Sequence, residues 1–197
     1  MLRIVLNNKQ LFWAVLAIPA ALMVAEWARG SALPVDLVQP SGELSAHLMI
    51  VAMMIAPLIA LVGPRGWLRW LLARRRALGV AAFAYALLHL IFYVVDMGVL
   101  ADMLAEVAAP GIWTGWAAFV LMIPLALTSN DMAMRALRTG WKRVQRLAYP
   151  AALLILLHWI LVHNNPVTAL VHFAPLILLL VLRFVRSPRQ TIQGSTS

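Results

Sequence analysis

Apolar residues fill six separate stretches of this chain, near 10–29, 44–63, 78–97, 111–128, 147–163 and 167–185. Each is close to the ~20 residues an α-helix needs to cross the ~30 Å hydrocarbon layer of a bilayer. Polar residues collect between the stretches. The pattern predicts an all-α fold, a polytopic membrane bundle of six helices. It predicts one transmembrane domain over residues 1–186 and a polar, disordered tail over 187–197. The apolar run Leu11–Ala25 ends without a small-residue cleavage site, so it reads as the first span and not as a removable leader.

Composition agrees with that pattern. The chain is 63% hydrophobic and only 12% charged, whereas a soluble domain is nearer half apolar and a quarter charged. Cysteine is absent, which excludes disulfides, iron–sulfur clusters and thiolate metal sites. The net charge of +9 would suggest nucleic acid on a soluble protein. Here the basic residues sit between apolar spans, so no nucleic-acid partner is expected.

The distribution of charge orients the chain. Fifteen of the sixteen Lys and Arg residues fall in alternate segments: before span one, between spans two and three, between spans four and five, and after span six. Only Arg29 lies on the other side, together with Glu26, Asp36, Glu43, Asp96, Asp102 and Glu106. The positive-inside rule then predicts that both termini are cytoplasmic. An odd number of spans would destroy this separation. Tryptophans near the span ends, Trp27, Trp67, Trp113 and Trp141 among them, form an ordinary interfacial belt.

Polar groups within the spans are few, and so informative. No carboxylate falls in mid-membrane, which weakens a proton-coupled transporter. There is no serine–histidine–acid constellation, phosphate loop or H-E-x-x-H zinc motif. Five histidines remain: His47, His89, His158, His163 and His172. His89 is 12 residues into span three from Ala77, and His158 is 12 residues on from Arg146. At 1.5 Å per residue, each lies about 18 Å from the same membrane face. Two parallel helices thus carry imidazoles at one height. A haem bound from both faces needs that arrangement. Histidines packed or hydrogen-bonded between helices would share the pattern. His47, His163 and His172 fall toward the opposite face, as further metal candidates or as interfacial residues. Arg74, Arg75 and Arg76 suit anionic lipid head groups, and Arg75 and Arg76 are also candidates for haem propionates or a flavin phosphate.

Four segments carry a family resemblance. RRALGVAAFAYALLHLIFY (75–93), SGELSAHLMIVAMMIAPL (41–58), GWAAFVLMIPLALTSND (115–131) and GWKRVQRLAYPAALLILLHW (140–159) resemble, in order and spacing, spans of the MsrQ (YedZ) family. That family lies within the ferric reductase-like transmembrane superfamily. The resemblance implies a multi-pass bacterial inner-membrane protein with haem b, one or two copies, and FMN as a further cofactor. It implies electron transfer from the quinol pool or a cytoplasmic flavin reductase to a periplasmic MsrP-like molybdopterin subunit that reduces methionine sulfoxide. His89 and His158 match the family's haem histidines. Gln145 departs from the family pattern: it stands where a histidine is expected, 13 residues before His158. Glutamine is a poor iron ligand, which bears on a second haem. A stand-alone ferric reductase-like haem protein, and a haem-free helical transporter or scaffold, are the competing expectations.

Overall fold

The computed structural model describes residues 8–163 and 165–186; the polar tail over 187–197 lies outside the described residues. Among these residues the chain forms helices α1 (Lys9–Ala28), α2 (Pro34–Val62), α3 (Gly66–Met97), α4 (Leu100–Glu106), α5 (Pro110–Leu127), α6 (Asp131–Leu137), α7 (Thr139–Gln145), α8 (Ala148–His163) and α9 (Pro166–Arg186). Six helical runs are long and apolar enough to cross a membrane: α1, α2, α3, α5, α7 continued into α8, and α9.

Local chemistry sets the boundaries. The Asn8 side chain accepts from the Gln10 amide at the start of α1. Pro34 opens α2, and Asp36 accepts from the Leu33 amide there, satisfying a donor that the first turn leaves orphaned. Gly98, at φ 63°, ends α3 in the left-handed conformation that suits glycine.

Two helices are longer than their apolar stretches. α2 begins ten residues before the predicted span, and α3 twelve residues before its own. Hydropathy marks only the part immersed in hydrocarbon, whereas a helix continues until a breaker stops it. Gly63 and Pro64 supply the break between α2 and α3. The run Arg65–Arg76, which lies between the second and third apolar stretches, is therefore almost wholly the first three turns of α3.

α2 and α3 pack antiparallel in a regular register. Three hydrogen bonds tie a side chain of one helix to a carbonyl of the other: His89 Nδ1 to Val38 O at 2.7 Å, Ser45 Oγ to Ala82 O at 2.8 Å, and Arg75 Nε to Ala52 O at 2.9 Å. The partners step by seven residues along each helix, the period of a supercoiled seam. α5 and α8 form a second close pair, and α9 packs on α2 and α8. Small residues allow the approach: Ala46, Ala82, Ala151, Ala152 and Ala169 are all buried in the common core, as expected where van der Waals contact must drive association. Large apolar side chains such as Leu178, Phe184 and Val185 face outward, toward lipid.

Three consecutive arginines brace the basic end. Successive residues point about 100° apart around a helix, so each meets a different element. Arg74 lies over Trp70 and near Phe12 of α1. Arg75 reaches α2, and Arg76 pairs with Asp131 at the start of α6. The hydrogen bond and charge of Arg76 hold the Asp131 carboxyl below its ordinary value. A carboxyl lowered by folding stabilises the folded state at neutral pH, and that contribution fades as pH falls through its depressed value. Proteolysis of the α6 segment should accelerate in acid below about pH 4, and Asp131→Asn should remove that pH dependence while raising cleavage at neutral pH.

α1 is held by few contacts, and one is specific. Tyr85 Oη accepts from the Ala20 amide at 3.0 Å and donates to the Leu16 carbonyl at 2.7 Å. Those two groups are one turn apart, so the hydroxyl inserts into the hydrogen-bond ladder of α1 beside Pro19. Tyr85→Phe should lower stability by about 1 kcal/mol, because the ladder can close once the hydroxyl is gone. Thermal unfolding in detergent measures it.

Candidate functional site

A cavity of about 330 Å³ opens among α2, α3, α5 and α8, within the size range of ligand sites. Its wall is mostly apolar, with Ala46, Ala86, Trp116 and Phe119 among the lining residues. His89 and His158 line it together, with ring centroids 6.1 Å apart and planes at 84°.

Both imidazoles are held the same way. His89 Nδ1 bonds the Val38 carbonyl and His158 Nδ1 bonds the Gly111 carbonyl, each at 2.7 Å. A carbonyl only accepts, so Nδ1 carries the proton and donates. Nε2 is then the nitrogen left with a free lone pair, as a metal-ligating histidine requires. One turn beyond each accepting carbonyl stands a glycine against the ring. A Cβ on Gly42 would lie 2.8 Å from His89 Nδ1, and a Cβ on Gly115 would lie 2.8 Å from His158 Nδ1 and Cε1. Real Cβ contacts are not that short, so only glycine leaves room for the rings. The two halves of the site thus repeat one device: carbonyl, then glycine four residues on, clasping a histidine from the neighbouring helix.

These glycines were not identified from sequence. A lone glycine inside an apolar span ordinarily reads as a packing residue. The signal lay in the pairing, since Val38–Gly42 and Gly111–Gly115 share a spacing of four and each sits on the helix facing a histidine.

The other predicted residues go elsewhere. His163 lines the mouth of the cavity at the acidic end. His47 and His172 meet each other, with centroids 4.9 Å apart. Arg75 and Arg76 are not beside the histidine pair: they stand 14 and 13 residues back along α3 from His89, about 20 Å away. They line a second, inner pocket of about 80 Å³ with Gly79, Phe83, Trp141 and Gln145. Gln145 Nε2 donates to Thr128 Oγ1 at 3.0 Å and to the Leu125 carbonyl at 3.3 Å. Phe83 stacks on Phe119 at 5.4 Å and 23°. Phe83 lines the inner pocket and Phe119 the main cavity, and Met122 lines both, so the stack and Met122 lie between the two.

Comparison with known proteins adds to this geometry. The ferric reductase like transmembrane component family matches residues 41–157, which contain His89, Gly42 and Gly115 and end one residue before His158. The chain is 36% identical over 174 residues to the protein-methionine-sulfoxide reductase heme-binding subunit MsrQ of Xanthomonas axonopodis pv. citri, covering 82% of this chain and 78% of that protein. It is 37% identical over 154 residues to the subunit of the same name from Ralstonia nicotianae, covering 75% and 69%. With the Agrobacterium fabrum subunit the identity is 34% over 127 residues, covering 62% and 59%. No solved structure matches.

Proposed function

Because the chain belongs to the MsrQ family of ferric reductase-like membrane proteins, we propose that it is a haem-binding electron-transfer subunit of a methionine sulfoxide reductase system, with His89 and His158 as the axial ligands of a haem b. The observation that carries this reading is the 6.1 Å between the two ring centroids across the cavity. Two metal–imidazole bonds of about 2.0 Å plus half of each ring sum to roughly 6 Å. The glycine clasps and the carbonyl-bound Nδ1 atoms support the same reading, since they hold both rings in one tautomer and one orientation. A haem bound there would supply one-electron chemistry. The chain would contribute the rest: two neutral ligands, a dry apolar wall that sets the potential, and a fixed height in the membrane.

The reading extends to topology and partners. The basic end faces the cytoplasm by the positive-inside rule, with both termini on that side. The cavity is then nearer the periplasmic face, where a periplasmic MsrP-like molybdopterin subunit would receive electrons. The donor is the quinol pool or a cytoplasmic flavin reductase. The inner pocket is only about 80 Å³, below the size range of ligand sites, and Gln145 is a poor iron ligand, so no step is assigned to a second haem or to FMN there.

Measured haem per chain tests this reading. Protein produced with ample haem should purify with one haem b, visible in the reduced-minus-oxidised spectrum. Absence of haem bands would return the fold to a transporter or scaffold. Two haems per chain would show that Gln145 does not close the inner site.

A further inference from the structure

Behind the cavity wall lies a second group of rings. His47 of α2 and His172 of α9 stand with centroids 4.9 Å apart and planes inclined by 53°. Trp159 of α8 completes the group, stacked on His172 at 5.0 Å and 25° and edge-on to His47 at 5.9 Å. Trp159 is buried and also lines the main cavity. One indole therefore touches both places.

The histidine pair has the preparation of a ligand set. His172 Nδ1 donates to the Thr168 carbonyl one turn back, at 2.8 Å, which leaves Nε2 with its lone pair. His89 and His158 share the Nδ1–carbonyl bond, although there the carbonyl belongs to a neighbouring helix. Among the described residues, His47 makes ring contacts but no hydrogen bond through either nitrogen. Its ring nitrogens are accessible and so open to a ligand. The spacing also differs from that of the cavity pair in an informative way. Two imidazoles bound at about 2.0 Å to one ion have centroids near 5 Å apart when the bonds make a tetrahedral angle, and roughly 6 Å when they are opposed. The cavity pair fits the opposed case and this pair the bent one.

We propose that His47 and His172 form an open two-imidazole site for a first-row transition ion, copper in preference to zinc. Neutral imidazoles with no carboxylate in the set disfavour calcium and magnesium. Copper binds nitrogen ligands most tightly of the first-row divalent ions. Among the described residues, no three His, Cys, Asp or Glu side chains converge on one point, so the remaining coordination positions fall to water or an exogenous ligand, which makes the site open to exchange. Glu43, one turn before His47 on α2, puts a negative charge on the approach from the acidic end.

The test uses the full chain with its native cofactor in lipid nanodiscs, loaded separately with copper(II) sulfate and zinc chloride and then desalted. About one copper per chain should remain by mass spectrometry, and its paramagnetic resonance spectrum should show nitrogen coupling. His47→Gln and His172→Gln keep polar side chains at those positions, and each should weaken copper binding about tenfold or more. His163→Gln should not. The visible spectrum of the native cofactor should be unchanged in His47→Gln and His172→Gln. Copper retained equally by the double variant would overturn the proposal, as would no copper on the native chain. A quinol analogue bound by the native chain, lost in both variants and unaccompanied by metal retention would also overturn it, assigning the pair to a neutral head group.

Discussion

Replacing His158 or His89 by alanine should abolish the visible spectrum of the bound haem, while helix content and elution volume stay near native. The two rings face each other in the cavity at 6.1 Å, and in each Nε2 is the ring nitrogen not already committed to a backbone carbonyl. Removing either leaves one strong ligand, so occupancy should fall by far more than the ~10-fold to 100-fold cost of losing a supporting contact. The accepting carbonyls, Val38 O and Gly111 O, lie inside α2 and α5, where they keep their own intrahelical partners, so the fold has little reason to fail. Added imidazole should restore part of the spectrum by entering the space the side chain left. A merely structural histidine would show no such rescue. Full spectra in both alanine variants would refute the assignment.

The second large effect is expected from residues with no functional group at all. Gly42→Ala and Gly115→Ala each place a methyl about 2.8 Å from the ring of the facing histidine. The obstacle is rigid on both sides, because the methyl sits on a helix and the ring is fixed by its carbonyl. Overpacking of this kind typically costs about 1–3 kcal/mol. Here the ring is the part that can yield, so the cost should appear as lost haem and a shifted potential before it appears as unfolding. Haem occupancy should fall about tenfold or more in each variant. Gly79→Ala is the matched control: it lies inside α3, and nothing stands within 4 Å of its added Cβ. It should retain haem and gain about 0.5–1 kcal/mol from better helix propensity. Haem loss in Gly79→Ala as great as in the other two would remove the steric explanation.

How much of this was legible in the chain depends on the range of the interaction. The six spans were readable because lipid immersion is a one-dimensional demand: about 20 apolar residues in a row suffice. The matched depth of His89 and His158 was readable for the same reason, since height along a helix is simply residue number times rise. Rotation about the helix axis is different. Whether two level imidazoles face each other or face lipid depends on how four helices are turned, and the seven-residue seam between α2 and α3 settles that for His89. The same seam carries Arg75 two heptads away from His89, which separates the arginines from the histidine pair. The extra turns of α2 and α3 were also hidden from hydropathy, because they lie outside the apolar stretches: Pro34 sets the start of α2, and Gly63 with Pro64 sets that of α3. The glycine clasps and the meeting of His47 with His172 are contacts between distant parts of the chain, and no local pattern specifies them. Membrane immersion and height follow from local composition; which side chains meet follows from the packing of one helix on another.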